Sequence, residues 1–534
     1  MSKALLRSEA RDFLAAIELA GRQEESSEHK DKLQVNEFVG FAAFAYEKLR
    51  NLVDYKDDVL LRKNAIKRFL RQRVVLGTVV KDESIAQDLL RELVLSRYLP
   101  NNTVPVSKVD DITRIITKYR HLLEAVKESN IWNGKFKKWL IGIEAVEVEH
   151  ELVSDYMRHP LTAYAYKILE PLYREASREK NERTYRRQMV IAIQRILEKA
   201  DVDILGFHLM KHMYAEWFSD EEKNFSDAAQ LFVKHYPEVM SEIDYAQSTR
   251  FHRMVRKAIV PFLVLRNVIR EEKKSSVADL LADSELIKKR SAKSYETYFN
   301  QLRKRIRRKG LHAMTYIFLT KMVLAILIEL PYEQIFLQEV NNLALGINLI
   351  FPPLLMLVVT IMITSPGAKN SELLVTGVKE VLYDQANYTF FRTPQVKKSG
   401  SHTWATIGFA ILSATTFLVS FGAIIYVLHR LDFNLLSGIL FVFFVSLVSF
   451  FGVSLRQQIN SLKVTPANAN IFTFLLDIVS LPMVWFGRWL SQTFDKVNFF
   501  VFLMDFLVEL PFKVLLKFLD KWFAFLREKK EEIF

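Results

Sequence analysis

His208, His212 and Glu216 recur every four residues. On one continuous helix that spacing lines two imidazoles and a carboxylate along a single face, a ligand set suited to a divalent metal. With 11 histidines in the chain, such a trio also arises by coincidence, and a solvated or internally paired face is the simpler account of it. Glu147 and His150 form a Glu-x-x-His pair with Glu144 and Glu151 nearby, half of what a di-iron bundle requires. A second set of charged residues stands in strongly apolar surroundings: Lys321, Asp477, Asp505 and Glu509. Inside a bilayer such groups turn away from lipid toward protein or water, and they mark routes for ions or solutes. Phe351-Pro352-Pro353 removes two backbone donors in succession from an otherwise apolar run, which predicts a kinked or broken helix of the kind that exposes carbonyls in transporters. Six basic residues, Arg303, Lys304, Arg305, Arg307, Arg308 and Lys309, precede the first apolar stretch and suit anionic lipid headgroups.

The elements that must position these residues follow from apolar run length. A membrane-spanning helix needs about 20 mostly apolar residues. Val340 to Ala368, Ser399 to His429 and Phe433 to Leu455 contain no Asp, Glu, Lys or Arg, and Leu311 to Ile328 contains only Lys321. Four spans are therefore expected at about 311–330, 343–364, 404–428 and 433–455, within a membrane domain of 311–463, with a short helix over 371–383 on the cytoplasmic membrane surface between the second and third. Glu329, Glu333 and Glu339 fall in the connection after the first span, whereas the next connection carries Lys369, Lys379, Arg392, Lys397 and Lys398. The alternation, with the basic run ahead of the first span, places both ends of the chain in the cytoplasm of a cell that inserts the protein in its plasma or inner membrane. Met1 to Asp31 is charged throughout and lacks the apolar core of a signal peptide, so the first span is expected to direct insertion. Ser437, Gly438, Ser446, Ser449 and Gly452 suit close packing of the last two spans as a hairpin.

Residues 1–310 read as an all-α cytoplasmic domain of about ten helices, single ones over 34–53 and 181–217 among them. Ile112, Ile115, Ile116, Tyr119 and Leu122 show the three-and-four spacing of a buried stripe, and strand alternation is scarce. The whole chain carries 74 Lys plus Arg against 61 Asp plus Glu; residues 311–534 hold 17 against 15, which leaves 57 against 46, a charge of +11, to residues 1–310. That excess is read as attraction to anionic lipid, with nucleic acid disfavoured because no arginine-rich arm interleaved with aromatics is present. There is no cysteine, which excludes disulfides, thiolate metal sites and a cysteine nucleophile. No phosphate-cradling glycine loop, nucleophile elbow or zinc-protease helix occurs, and no cofactor is called for.

Residues 464–534 repeat a Phe- and Leu-rich pattern. Phe472 to Asp477 is echoed by Phe500 to Asp505, and each is followed by a Leu-Pro pair. Charges at Asp505, Glu509, Lys513, Lys517 and Asp520 recur every three or four residues, so the second copy is an amphipathic helix. Two arrangements stay open: a helix lying flat at the interface, favoured because its charges are easily solvated there, or a hairpin that turns Asp477, Asp505 and Glu509 toward a path. The fold class is thus all-α, a soluble helical domain followed by a helical multi-pass membrane domain. A non-enzymatic scaffold, sensor or membrane-organising role fits it first, with a second copy or a cytoplasmic protein as further partners; the alternative is a transporter or channel.

Overall fold

The computed structural model describes residues 5–25, 32, 58–76, 81–127, 134–153, 155–218, 225–272, 276–338, 341–361, 368–383, 389–391, 403–460, 462–464 and 480–491. They are helical almost throughout, with no β-strand among them. Two compact units divide at Ile287/Lys288, Thr376/Gly377 and Thr393/Pro394.

The first unit is built from α1 (Ser8–Glu25), α2 (Asp58–Leu76), α3 (Asp82–Leu95), α4 (Lys108–Lys127), α5 (Gly134–Leu152), α6 (Arg158–Ser177), α7 (Glu182–Leu197), α8 (Val202–Met213), α9 (Phe225–Ile243), α10 (Ser248–Ala258), α11 (Val260–Arg270) and α12 (Val277–Ala282). The stripe of α4 buries Ile112, Ile115, Ile116, Tyr119, Leu122 and Val126, and α3 and α9 pack on it. Burying each such side chain contributes about 1.5–3 kcal/mol. Several helices are shorter than the apolar pattern suggests. The single helix expected over 181–217 ends at Leu197, with Lys199 at a φ of 52°, and restarts where the Asp201 carboxylate accepts from Ile204 N at 3.2 Å. Such a cap outweighs the continuing periodicity because it satisfies an otherwise orphaned donor. The helix expected over 34–53 lies outside the described residues.

A polar knot lies where α2, α5 and α8 meet. Lys63 is 1% exposed and donates to Asp201 at 2.5 Å and Asp203 at 2.7 Å, and Lys67 reaches Asp203 at 2.7 Å. A Cβ on Gly142 would stand 2.2 Å from Asp203 Oδ1, so only glycine admits the knot there.

The second unit holds most of α13 (Ser284–Leu324), all of α14 (Asn342–Ile361), α16 (Thr403–Arg430) and α17 (Leu435–Asn460), and a helical stretch over 480–491; α15 (Ala368–Leu382) contributes residues to each unit. Among the described residues four helices are long and apolar enough to cross a membrane: Ser284–Leu337, Asn342–Ile361, Ile411–Arg430 and Leu435–Asn460. Leu418, Leu435, Ile411 and Phe336 point outward and are each more than 60% exposed. Apolar surface on that scale is what helices present to hydrocarbon.

Three expectations change. The first span does not close at Pro331: helical backbone runs on through a π-turn at Ala325–Glu329, a short α-turn at Leu330–Tyr332 and a second π-turn at Glu333–Leu337, and reverses at Gln338 with a φ of 58°. Pro331 lies inside that continuing stretch, between the two π-turns, and its ring removes one donor to the preceding turn. Of the kink or break expected at Pro352-Pro353, the break is absent, since α14 is continuous through both buried prolines. Finally, α17 packs principally against α14 rather than as a closed hairpin with α16. Gly452 permits this, because a Cβ there would come within 2.7 Å of Val359.

The short helix expected on the membrane surface over 371–383 is α15, but its second half is packed into the first unit. Val378, Val381, Leu382 and Tyr383 are buried there, and Tyr164 Oη donates to Val381 O at 2.6 Å. Glu380 folds back onto the backbone amides of Thr389 and Phe390 at 2.7 and 2.9 Å.

Candidate functional site in the membrane-length helices

Six polar residues gather among the membrane-length helices of the second unit. Lys321, on α13, is fully buried, and its Nζ stands 2.5 Å from Glu329 Oε1. It also sits 5.2 Å from the centre of the Phe444 ring. The other oxygen of Glu329 accepts from Asn348 Nδ2 at 2.9 Å, and the same amide nitrogen lies 3.3 Å from Ser437 O. One turn beyond Glu329, Glu333 Oε1 accepts from Asn434 Nδ2 at 2.6 Å and from Ser437 Oγ at 3.5 Å. Asn434 in turn caps α17, accepting from Ser437 N at 2.8 Å. The side chains of Lys321, Glu329, Glu333, Asn348 and Ser437 are each no more than 1% exposed.

Backbone geometry brings these groups together. Lys321 and Glu329 are eight residues apart, which on a regular helix leaves them on diverging faces. The wider turn over Ala325–Glu329 absorbs one extra residue, so the pair meets as residues seven apart would. Asn348 enters from α14 four residues before Pro352, whose ring removes the donor that the Asn348 carbonyl would otherwise receive.

Lys321, then, faces protein, one of the two settings expected for it. Pro352 and Pro353 support its neighbourhood without opening the helix. Glu329 and Glu333 were placed by sequence in an extramembrane connection; they belong to the continuing helix and are buried. The signal available was Lys321 itself, which requires a carboxylate partner within reach in an apolar setting. Asp477, Asp505 and Glu509 lie outside the described residues. On α13, Lys304, Arg305, Arg307 and Arg308 are exposed, while Arg303 and Lys309 are partly covered and Ile306 is buried between them.

The histidine trio does not converge. α8 ends at Met213, so Glu216 falls in a separate 3-10 turn (Ala215–Phe218), and both His212 and Glu216 are exposed. The continuous helix that would have aligned them is broken at Tyr214. His208 turns instead to Glu198, with Nε2 3.3 Å from Oε2, and its ring lies 5.6 and 5.4 Å from those of His150 and His159. Burial, with Arg158 nearby, holds His150 well below the usual imidazole range, and burial beside His208 brings His159 down to about 4. Glu198 is held low against its burial by His208 and Thr162. Glu147 is committed to Lys118 and to the Tyr119 hydroxyl, the latter at 2.7 Å. Among the described residues no three His, Asp or Glu side chains are grouped to hold a metal ion.

No protein-family model, curated protein or solved structure matches the chain.

Proposed function

We propose that this chain is a multi-pass membrane protein of the transporter or channel class, in which the Lys321–Glu329–Glu333 cluster forms part of the path for a small ion or solute. One observation carries the reading: two carboxylates, an ammonium and two carboxamides are fully or largely buried among helices whose outer surfaces are apolar. Charged groups at membrane depth are costly, and a bundle held together only by packing has no need of three of them. In this reading Ser284–Leu337, α14, α16 and α17 span the plasma or inner membrane, the basic residues from Arg303 to Lys309 meet anionic headgroups, and both chain ends are cytoplasmic.

Because the chain has no native cysteine, single cysteines report on water access without background. Glu333→Cys, Asn348→Cys and Ser437→Cys, each reconstituted in vesicles, are expected to react with small charged thiol reagents, and with Leu418→Cys as the lipid-facing control they should react far faster than it. Protection of all three positions from both sides of the membrane refutes the path.

A second reading, a scaffold or sensor that presents a basic all-α cytoplasmic domain at the bilayer, is supported by one feature. α13 is a single unbroken helix of 41 residues that carries the basic run directly into the first span, a stiff lever rather than a loose tether. Protection at the three cysteine positions, together with loss of lipid binding when the basic run is neutralised, favours this role.

A further inference from the structure

We infer that the intramembrane cluster is a binding site for a monovalent alkali cation, held by Glu333 and Asn348. The inference rests on the path reading above and names what the site takes.

Charge is the first consideration. Lys321 is matched by Glu329 at 2.5 Å, and both Glu329 oxygens have donors, Lys321 Nζ and Asn348 Nδ2. Among the described residues Glu333 has no cation of its own: its partners there, Asn434 and Ser437, are neutral. Counted at ordinary charges the cluster is one positive charge short, and an unmatched charge in a low-dielectric interior is among the costliest features a fold can carry.

Unused acceptors are the second and independent consideration. Glu333 Oε2 and Asn348 Oδ1 are both buried without a hydrogen-bond partner among the described residues, on side chains 1% and 0% exposed. The Asn348 amide cannot be turned round to remove the problem. Exchanging its nitrogen and oxygen would set Oδ1 against Glu329 Oε2 and Ser437 O, two acceptors. Ser437 ties the two bare oxygens into one neighbourhood, since its carbonyl takes the Asn348 amide and its hydroxyl reaches Glu333.

A site with one uncompensated negative charge and only oxygen ligands suits a hard cation of single charge. A divalent ion would leave the cluster one charge in excess, and a transition metal would want imidazole, which is absent. A proton on Glu333 would also match the charge, and stabilisation that follows pH rather than the cation is the result that would assign the site to it. An alkali cation matches the charge and meets both bare oxygens.

The test uses full-length protein purified in detergent, melted at fixed pH and ionic strength in sodium, potassium, magnesium or choline chloride. Ligand that binds only the native state raises the melting temperature in a saturable way. The expected result is a saturating rise of several degrees in sodium or potassium over choline, absent in Glu333→Gln. That variant, with the charge removed and the shape kept, should melt in choline at or above the wild type, which shows that it folds. Asn348→Ala should need at least about tenfold more cation for the same rise, the effect of one lost oxygen ligand. The inference is overturned by a wild-type response equal in choline, by a response as large with magnesium, by an alkali response kept in Glu333→Gln, or by stabilisation that follows pH alone, which assigns the charge to a proton. Melting needs no gradient and no vesicle: a sodium response with no thiol access leaves the cation site and removes the path, and thiol access with no alkali response does the reverse.

Discussion

Glu329 follows Lys321 by eight residues on one helix, yet its Oε1 stands 2.5 Å from the ammonium, with both side chains wholly buried. Removing one partner of such a pair strands the other. Lys321→Met or Glu329→Leu alone should therefore lower the stability of the detergent-solubilised protein by about 3–5 kcal/mol. The double variant Lys321→Met/Glu329→Leu should recover most of that loss, because two well-packed apolar groups avoid desolvating any charge. Thermal melting of the four proteins as a double-mutant cycle measures the coupling. Additive losses would mean that the two charges act independently.

Gly487 is expected to be intolerant of any side chain. A Cβ there would lie 2.1 Å from the Ser446 carbonyl oxygen, a backbone atom of α17 that cannot swing aside. Gly487→Ala should destabilise by about 1–3 kcal/mol or push the 480–491 helix outward. The move can be followed in Trp485, whose ring meets Phe417 edge-on with centres 5.6 Å apart: its fluorescence should change in Gly487→Ala and stay unchanged in Gly346→Ala, where the added carbon meets nothing.

How far the sequence foretold these features depends on the range of the interaction behind them. Run length and the absence of charge locate α14, α16 and α17 to within a few residues, because a membrane core imposes one requirement on every position. The stripe of α4 is equally legible, since Ile112, Ile115, Ile116 and Tyr119 face the interior at helical spacing. The carboxylates at 329 and 333 were misplaced because a Leu-Pro pair reads as a helix end, whereas two π-turns carry the helix beyond it. Besides Lys321, the groups that meet these carboxylates, Asn348, Asn434 and Ser437, are distant in sequence, and no local pattern announces such partners. The His208 set failed for a related reason. Spacing of four has meaning only on an unbroken helix, and α8 stops at Met213.

Acid should weaken the first unit before it reaches the ordinary carboxylate range. His150 and His159 are held below the usual imidazole value of 6.5, His159 at about 4, by burial and by the neighbouring Arg158, His208 and Lys211. Glu198 faces the same rings and Glu149 lies beside Arg158 and His150. A depressed imidazole binds fewer protons folded than unfolded, so its contribution is fully present above pH 6.5 and drains away as pH falls toward 4. Glu198, also depressed, loses its share only below the normal carboxylate range. Melting temperatures between pH 7.5 and 4 should fall in the wild type, and the slope from 6.5 to 4 should flatten in His150→Phe. An unchanged slope would mean that His150 is charged in the folded protein.

Orientation turns on the run from Arg303 to Lys309, because basic residues next to the first span dominate the choice of side. Asp432, in the turn between α16 and α17 with a φ of 52°, and Asn460, at the end of α17, are both exposed and lie at opposite ends of one span. With the basic run intact, a membrane-impermeant thiol reagent added to whole cells should label Asp432→Cys and spare Asn460→Cys. Replacing Arg303, Lys304, Arg305, Arg307, Arg308 and Lys309 by glutamine removes the strongest retention signal on that side, while Lys369 and Lys379 remain to oppose inversion. The expected outcome is mixed insertion, read as partial labelling at both positions. Strong labelling of Asn460→Cys in cells making the otherwise unaltered protein would reverse the proposed topology, and the headgroup role of the basic run would fall with it.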